Sequence, residues 1–363
     1  MSESAKKFKT ASRALTHILV GSLFVTWPII SIRGQSGPVS PSQVSEVVAQ
    51  LRSATSDTAT LSNGLALGRS LILEKRFVEA AELFKAVLDR DPQNATALYG
   101  AALSAFNLGQ TEEADRLARA AVTATGGNSD RFARAAVSER TLAADSLVLL
   151  AVVLAVRGDD PGALKSAKQA VKIARNHFDA QFTLGRALYS VGDMHAASEA
   201  FRVAASLNPG DQRALFFLGT TLERTGDLAG AISAYRVMIA RQPQAAEGHL
   251  GLGTLLVRRG ASEQEEGIRE LKRAVELKPD LYEARVTLGR VLVARGRSAE
   301  AVEHLVRASE LAPGNPEPQY QLSMAYQRLR RYDKAAEAIK AVRRIHETRR
   351  ASGPEGKTQP PQP

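Results

Sequence analysis

The sequence predicts an all-α solenoid of about eight stacked helix–turn–helix copies. Three observations carry this. Leu-Gly recurs at a fixed interval, with Gly185, Gly219, Gly253 and Gly289 separated by 34, 34 and 36 residues. Prolines keep step with it: Pro209, Pro243, Pro279 and Pro313 are 34, 36 and 34 apart. The composition favours helix, with only 5% aromatics among 44% hydrophobic residues and an abundance of Ala and Leu, which lose least on entering a helix. Self-similarity at a period in this range is the mark of a repeat array.

Bulk properties narrow the functional classes. The 363 residues carry 24% charged groups, a globular balance. There is no cysteine, which excludes disulfides, thiolate zinc sites and a cysteine nucleophile. The net charge is +10. Residues 1–36 hold Lys6, Lys7, Lys9, Arg13 and Arg33 against Glu3, giving +4 and leaving +6 for the rest. That surplus is a weak argument for nucleic acid.

The elements follow in chain order. Four basic residues precede an uncharged run, Ala14 to Ile32, and a stretch of small residues with Gly34 and Ser36. The pattern reads as a signal peptide or an N-terminal membrane anchor over 1–36. Either would place the remainder in the cell envelope, periplasmic or secreted, or anchored to the inner membrane and facing outward. Residues 37–60 read as a linker with one amphipathic piece, spaced as Val44, Val47, Val48 and Leu51, that could form a short docked helix.

The repeats then run to 349. Their first helices carry LALGRSL (65–71), FTLGRAL (182–188), FFLGTTL (216–222), LGLGTLL (250–256) and VTLGRVL (286–292). The Gly in each lets a second helix approach closely. A small residue in the second helix (Ala80, Ala197, Ala231, Gly267, Ala301, Ala335) does the reverse. A bulky residue follows four on (Phe84, Phe201, Tyr235, Leu271, Leu305, Ile339) on the same helical face. Gly192-Asp193, Gly226-Asp227 and Gly158-Asp159-Asp160 read as turns, Gly ending one helix and Asp capping the next; Gly296-Arg297 reads as another.

This pattern resembles the tetratricopeptide repeat. Eight copies fit, at 61–94, 95–128, 144–177, 178–211, 212–245, 246–281, 282–315 and 316–349, about four-fifths of the chain. The second and third are degenerate, with Ala101-Ala102 and Leu150-Ala151 in place of Leu-Gly. The resemblance implies a right-handed superhelical solenoid whose first helices line a protein-binding groove. Carried onto this sequence, the groove positions are Arg69, Tyr99, Phe106, Phe182, Arg186, Tyr189, Phe216, Arg224, Arg258, Arg290, Tyr320 and Arg328. Some family members grip a C-terminal carboxylate with a clamp that needs Lys at the fifth position, and no copy here has it. The expected ligand is a peptide or protein segment, possibly acidic, since Arg pairs with carboxylates and aromatics anchor interfaces.

Residues 129–143 interrupt the register and read either as a protruding arm or as a longer connection between copies. The last helix is rich in Arg and Lys, from Arg330 to Arg350. It reads as a solvated end cap, with a partner or lipid headgroups as the functional alternative. Residues 350–363 read as a disordered tail. No His pair has metal-ligand spacing and no phosphate loop or nucleophile elbow is present. The expectation is therefore no enzyme, no cofactor and no small-molecule substrate, with nucleic acid a poor fit because the arginines are interleaved with Glu223, Glu247, Glu283 and Glu317. The leading reading is an interaction scaffold. The alternative is a substrate-selecting accessory subunit of an enzyme such as a glycosyltransferase.

Overall fold

The computed structural model describes residues 39–53, 57–126, 137–260 and 262–351. Among these there are seventeen helices and no strand. Two compact units divide after Pro209. The first holds α1 (Pro41–Arg52), α2 (Thr58–Leu73), α3 (Phe77–Leu88), α4 (Ala95–Asn107), α5 (Thr111–Ala124), α6 (Val137–Val156), α7 (Asp160–Ile173), α8 (Phe178–Val191) and α9 (Met194–Leu207). The second holds α10 (Gln212–Thr225), α11 (Leu228–Arg241), α12 (Ala246–Arg259), α13 (Gln264–Leu277), α14 (Tyr282–Ala294), α15 (Ser298–Leu311), α16 (Pro316–Arg328) and α17 (Tyr332–Ala351).

The pairing follows from glycine and ring. In α10 a Cβ added to Gly219 would stand 2.7 Å from the Tyr235 ring of α11. Gly68 and Gly185 hold the same relation, also at 2.7 Å, to Phe84 and Phe201. Two further glycines extend the grip to the next pair. A Cβ on Gly251 of α12 would meet Tyr235 at 2.5 Å, and one on Gly100 of α4 would collide with Phe84. Phe84 and Tyr235 are thus each seated between the first helix of their own copy and that of the following copy. Where the first helix carries Ala102 or Ala151, the second carries Ala118 or Ala167 in place of a ring, and all four are buried. Small against small keeps the helices close in the degenerate copies.

The turns are those the sequence indicates. Gly192 and Gly226 sit at φ 89° and 87°, the left-handed region glycine enters freely. Asp193 then accepts from the Ala196 N–H (3.1 Å) and Asp227 from the Gly230 N–H (2.8 Å). Position four of several copies adds a tie the sequence reading missed. Gln181 donates to the Arg175 carbonyl (2.8 Å), His249 Nε2 lies 3.1 Å from the Pro243 carbonyl, and the Arg285 guanidinium donates to the Pro279 carbonyl.

The amphipathic piece within 37–60 is a docked helix. Ser40 and Gln43 form a reciprocal capping box and Pro41 opens α1. Val44, Val47, Val48 and Leu51 are buried against α2 and α3. Each fully buried side chain of this size contributes roughly 1.5–3 kcal/mol. Arg90 Nε donates to the Leu51 carbonyl (2.7 Å) and closes the cap.

Part of the expected interruption is also corrected. Helix α6 begins at Val137, so 137–143 extend the first helix of the third copy; 129–136 lie outside the described residues. Within that extension Val137, Ser138 and Glu139 are exposed, and burial on every face begins at Ala143 and runs to Leu154. At the C-terminus α17 continues to Ala351, past the expected start of the tail; 352–363 lie outside the described residues, as do 1–38.

Candidate functional site

Within each unit the first helices of successive copies touch one another along the row, and no two second helices pack as closely. The first helices therefore line the inside of each row. In unit two they are α10, α12, α14 and α16. Each pair reverses direction twice, so these four run parallel. Their least buried residues form one stripe per helix: Arg213, Phe216, Thr220 and Arg224 on α10; Glu247, Leu250, Thr254 and Arg258 on α12; Glu283, Thr287 and Arg290 on α14; Glu317, Tyr320, Met324 and Arg328 on α16. The floor is apolar and aromatic. Phe216 is half-buried, 5.8 Å from Phe217 and 6.3 Å from Tyr235 between ring centres. Tyr320 is 52% exposed.

The charges of this surface are segregated. Glu247, Glu283 and Glu317 lie at the N-terminal ends of their helices, and Arg224, Arg258 and Arg328 at the C-terminal ends. Because the helices are parallel, these acids share one edge and these bases the other, with Arg213, 2.5 Å from Asp211, the exception at the N-terminal edge. The placement complements the helix macrodipole, worth roughly 0.3–1 kcal/mol per charge, so the edges cost the fold little.

The twelve sequence-derived groove residues differ in exposure between the two units. Tyr99, Phe182 and Tyr189 are buried, at 1%, 4% and 8% exposure, and cannot offer their faces to a ligand. The reason is α6, whose residues 143–154 are buried on every face and which packs against both α4 and α8. Arg69, Phe106 and Arg186 are only partly accessible, and burial lowers the Arg69 pKa. The row in unit one is thus largely filled by its own side chains.

In unit two, Arg258 pairs with Glu223 of the preceding first helix, and Arg328 donates to the Val293 carbonyl of the preceding one. These two exposed arginines tie copies together. Arg224 is exposed, and Arg290 is exposed with no carboxylate in pairing distance among the described residues. The structure therefore brings together Phe216, Arg224, Arg258, Arg290, Tyr320 and Arg328. Leu250, Thr254 and Met324, which the same helical spacing assigns to the groove, lie on these stripes as well, with Glu247, Glu283 and Glu317 at their acidic ends.

A second cluster lies inside unit one. His177 caps α8, its Nδ1 accepting from the Ala180 N–H at 3.3 Å. Its Nε2 faces Asp145 Oδ1 at 3.2 Å. Burial opposes the charged ring, but the Asp145 carboxylate outweighs it and raises the His177 pKa. The Tyr99 phenol is pushed well up by burial and by the Asp145 and Asp179 carboxylates. With Tyr99 and Asp145 enclosed, the cluster braces α4, α6 and α8 and presents nothing to a substrate. Among the described residues no three His, Asp or Glu converge in a metal-binding arrangement.

Known proteins resemble the chain in the following way. Two family models, each described as a tetratricopeptide repeat, match it, one over 182–246 and 250–316 and the other over 71–136 and 292–352. Together these segments exceed half the chain. No curated protein matches by sequence. Among solved structures, YrrB, described as a TPR protein with an unusual peptide-binding site, is 22% identical with a TM-score of 0.43, covering 50% of this chain and 93% of its own. MamA from Desulfovibrio magneticus RS-1, residue 41 to the end, is 20% identical with a TM-score of 0.43, covering 52% and 96%. The APC/C hetero-tetramer Cut9-Hcn1 is 15% identical with a TM-score of 0.54, covering 78% of this chain and 52% of that one. Only the Cut9-Hcn1 match superposes well enough to speak for the fold, and at that identity it speaks for the fold alone.

Proposed function

Because the chain belongs to the tetratricopeptide-repeat family, we propose that it is a non-catalytic scaffold whose first-helix surface in unit two takes a peptide segment with acidic side chains. The observation that carries this reading is the contrast between the rows: filled around α6, open across α10, α12, α14 and α16, where Arg290 is exposed with no carboxylate in pairing distance among the described residues and Tyr320 is exposed on the next first helix. An extended or helical segment would lay apolar side chains on Phe216, Leu250 and Met324. Its carboxylates would meet Arg224 and Arg290, where fork-shaped pairing is strong. The leader-like sequence over 1–36 supports a setting in the cell envelope, by export or by tethering. Among the described residues no helix is long and apolar enough to cross a membrane. The intact mass of the chain recovered from its native source separates a cleaved from an uncleaved form.

Site-specific photo-crosslinking tests the binding surface. A crosslinkable residue at Thr254, on the open stripe, should yield a covalent partner adduct in native extract. The same residue at Val237, on the second helix α11 and 37% exposed, should not. Equal yields from both positions, or none at Thr254, would reject the reading.

A further inference from the structure

We propose a second docking surface at the C-terminal end of the array, shaped for an incoming helix whose first turn is acidic. It is separate from the first-helix surface above. In unit two the second-helix residues Tyr235, Leu271 and Leu305 are all buried, at 2%, 0% and 0%. Each has a following first helix laid over it, as Gly251 of α12 is laid on Tyr235. The counterpart in the last copy is Ile339 of α17, and no described helix follows it. A depression of about 310 Å³ remains there, lined by Gln327, Tyr332, Ala335, Ala336, Ile339, Lys340 and Arg343. Tyr332 is 64% exposed. The shape of this seat is therefore that of a helix.

Its chemistry comes from charge. Arg330, Arg331, Lys340, Arg343, Arg344 and Arg350 are exposed, and none has a carboxylate in pairing distance among the described residues. Earlier second helices of the unit carry cations held by carboxylates: Arg307 lies 2.7 Å from Asp280 and 2.9 Å from Glu310, and Lys272 2.5 Å from Glu300. Arg343 is placed most tellingly. Its counterpart Ile239 packs on Gly248, the third residue of α12, where an added Cβ would lie 3.2 Å from Ile239 Cγ1. Arg343 thus faces the first turn of whatever helix docks. A carboxylate there would satisfy both the guanidinium and the positive end of the helix, and a small residue would sit over Ile339.

Other occupants fit less well. A lipid surface needs bulky apolar side chains to insert, and the exposed ones here are few and small apart from Tyr332. A second copy offers the same cations if it docks end to end by this face. Docked head to tail it offers α1, whose apolar side chains are already buried.

The test uses the full chain and a fluorescent helical peptide of Glu, Ala and Leu with two Glu in its first turn, read by anisotropy. Arg343→Glu should weaken binding about tenfold, as loss and reversal of a close charge pair does. Lys340→Glu should act in the same direction. Arg344→Glu, outside the depression, should change it less than about threefold. An equal loss from Arg344→Glu would reduce the effect to unspecific charge and overturn the proposal. Loss from Arg290→Glu alone would place the peptide on the other surface and overturn it too. Tighter, Arg343-dependent binding of phosphatidylserine vesicles or duplex DNA would reassign the face. So would a dimer in solution that Ile339→Asp dissolves.

Discussion

The ring of Tyr235 occupies the space that a side chain on Gly251 would need: an added Cβ would lie 2.5 Å from it. Tyr235 belongs to the fifth copy and Gly251 to the sixth, so this contact joins successive copies. Gly251→Ala forces ring or helix to move, and overpacking of this kind costs about 1–3 kcal/mol. Gly314→Ala, with nothing within 4 Å of the added carbon, should be neutral within about 0.5 kcal/mol. Urea unfolding of both variants checks the contrast.

Leu51 makes α1 part of the folded array. It is fully buried, and its Cδ1 stands 2.9 Å from the place a Cβ on Gly64 would take. Leu51→Ala should cost about 2–5 kcal/mol. If 37–60 were only a linker, the same change would leave thermal unfolding where it was.

The His177–Asp145 pair gives stability a pH dependence of known sign. The His177 pKa is raised in the fold, so its stabilisation is fully present below the unfolded value of about 6.5 and is lost as pH rises through the raised value. In Asp145→Asn, burial is opposed only by the Asp179 carboxylate, and the His177 pKa should fall. The stability gap between the two proteins should be widest below about pH 6.5 and narrow above it. Histidine NMR titration and denaturant curves at pH 5.5 and 8 measure both effects.

Much of the fold is legible in the sequence. The spacing of Gly185, Gly219, Gly253 and Gly289 reports the close approach of paired helices directly, and Gly-Asp reports the turns at 158–159, 192–193 and 226–227. The site is less legible. The family's groove positions say which way Tyr99, Phe182 and Tyr189 point. They do not say how closely neighbouring copies draw together, which depends on the side chains of α6 acting at once. Arg258 and Arg328 mislead for another reason. A long cation on an inner helix can reach a ligand or the preceding copy, and only the position of Glu223 and of the Val293 carbonyl decides between them.

Arg258 itself should be dispensable for stability. Its pairing with Glu223 is solvent-exposed, and such pairs contribute about 0–1 kcal/mol. Arg258→Ala should leave the unfolding midpoint nearly unchanged, so any loss of partner binding in that variant reports a ligand contact.

Partner capture by two charge reversals tests the central claim most directly. Arg290→Glu lies on the open row of unit two and Arg186→Glu on the filled row of unit one. Quantitative mass spectrometry of proteins retained from native extract should show partner loss of about tenfold for Arg290→Glu and near-complete retention for Arg186→Glu. Unchanged capture by Arg290→Glu, or loss confined to Arg186→Glu, would contradict a ligand surface across α10, α12, α14 and α16.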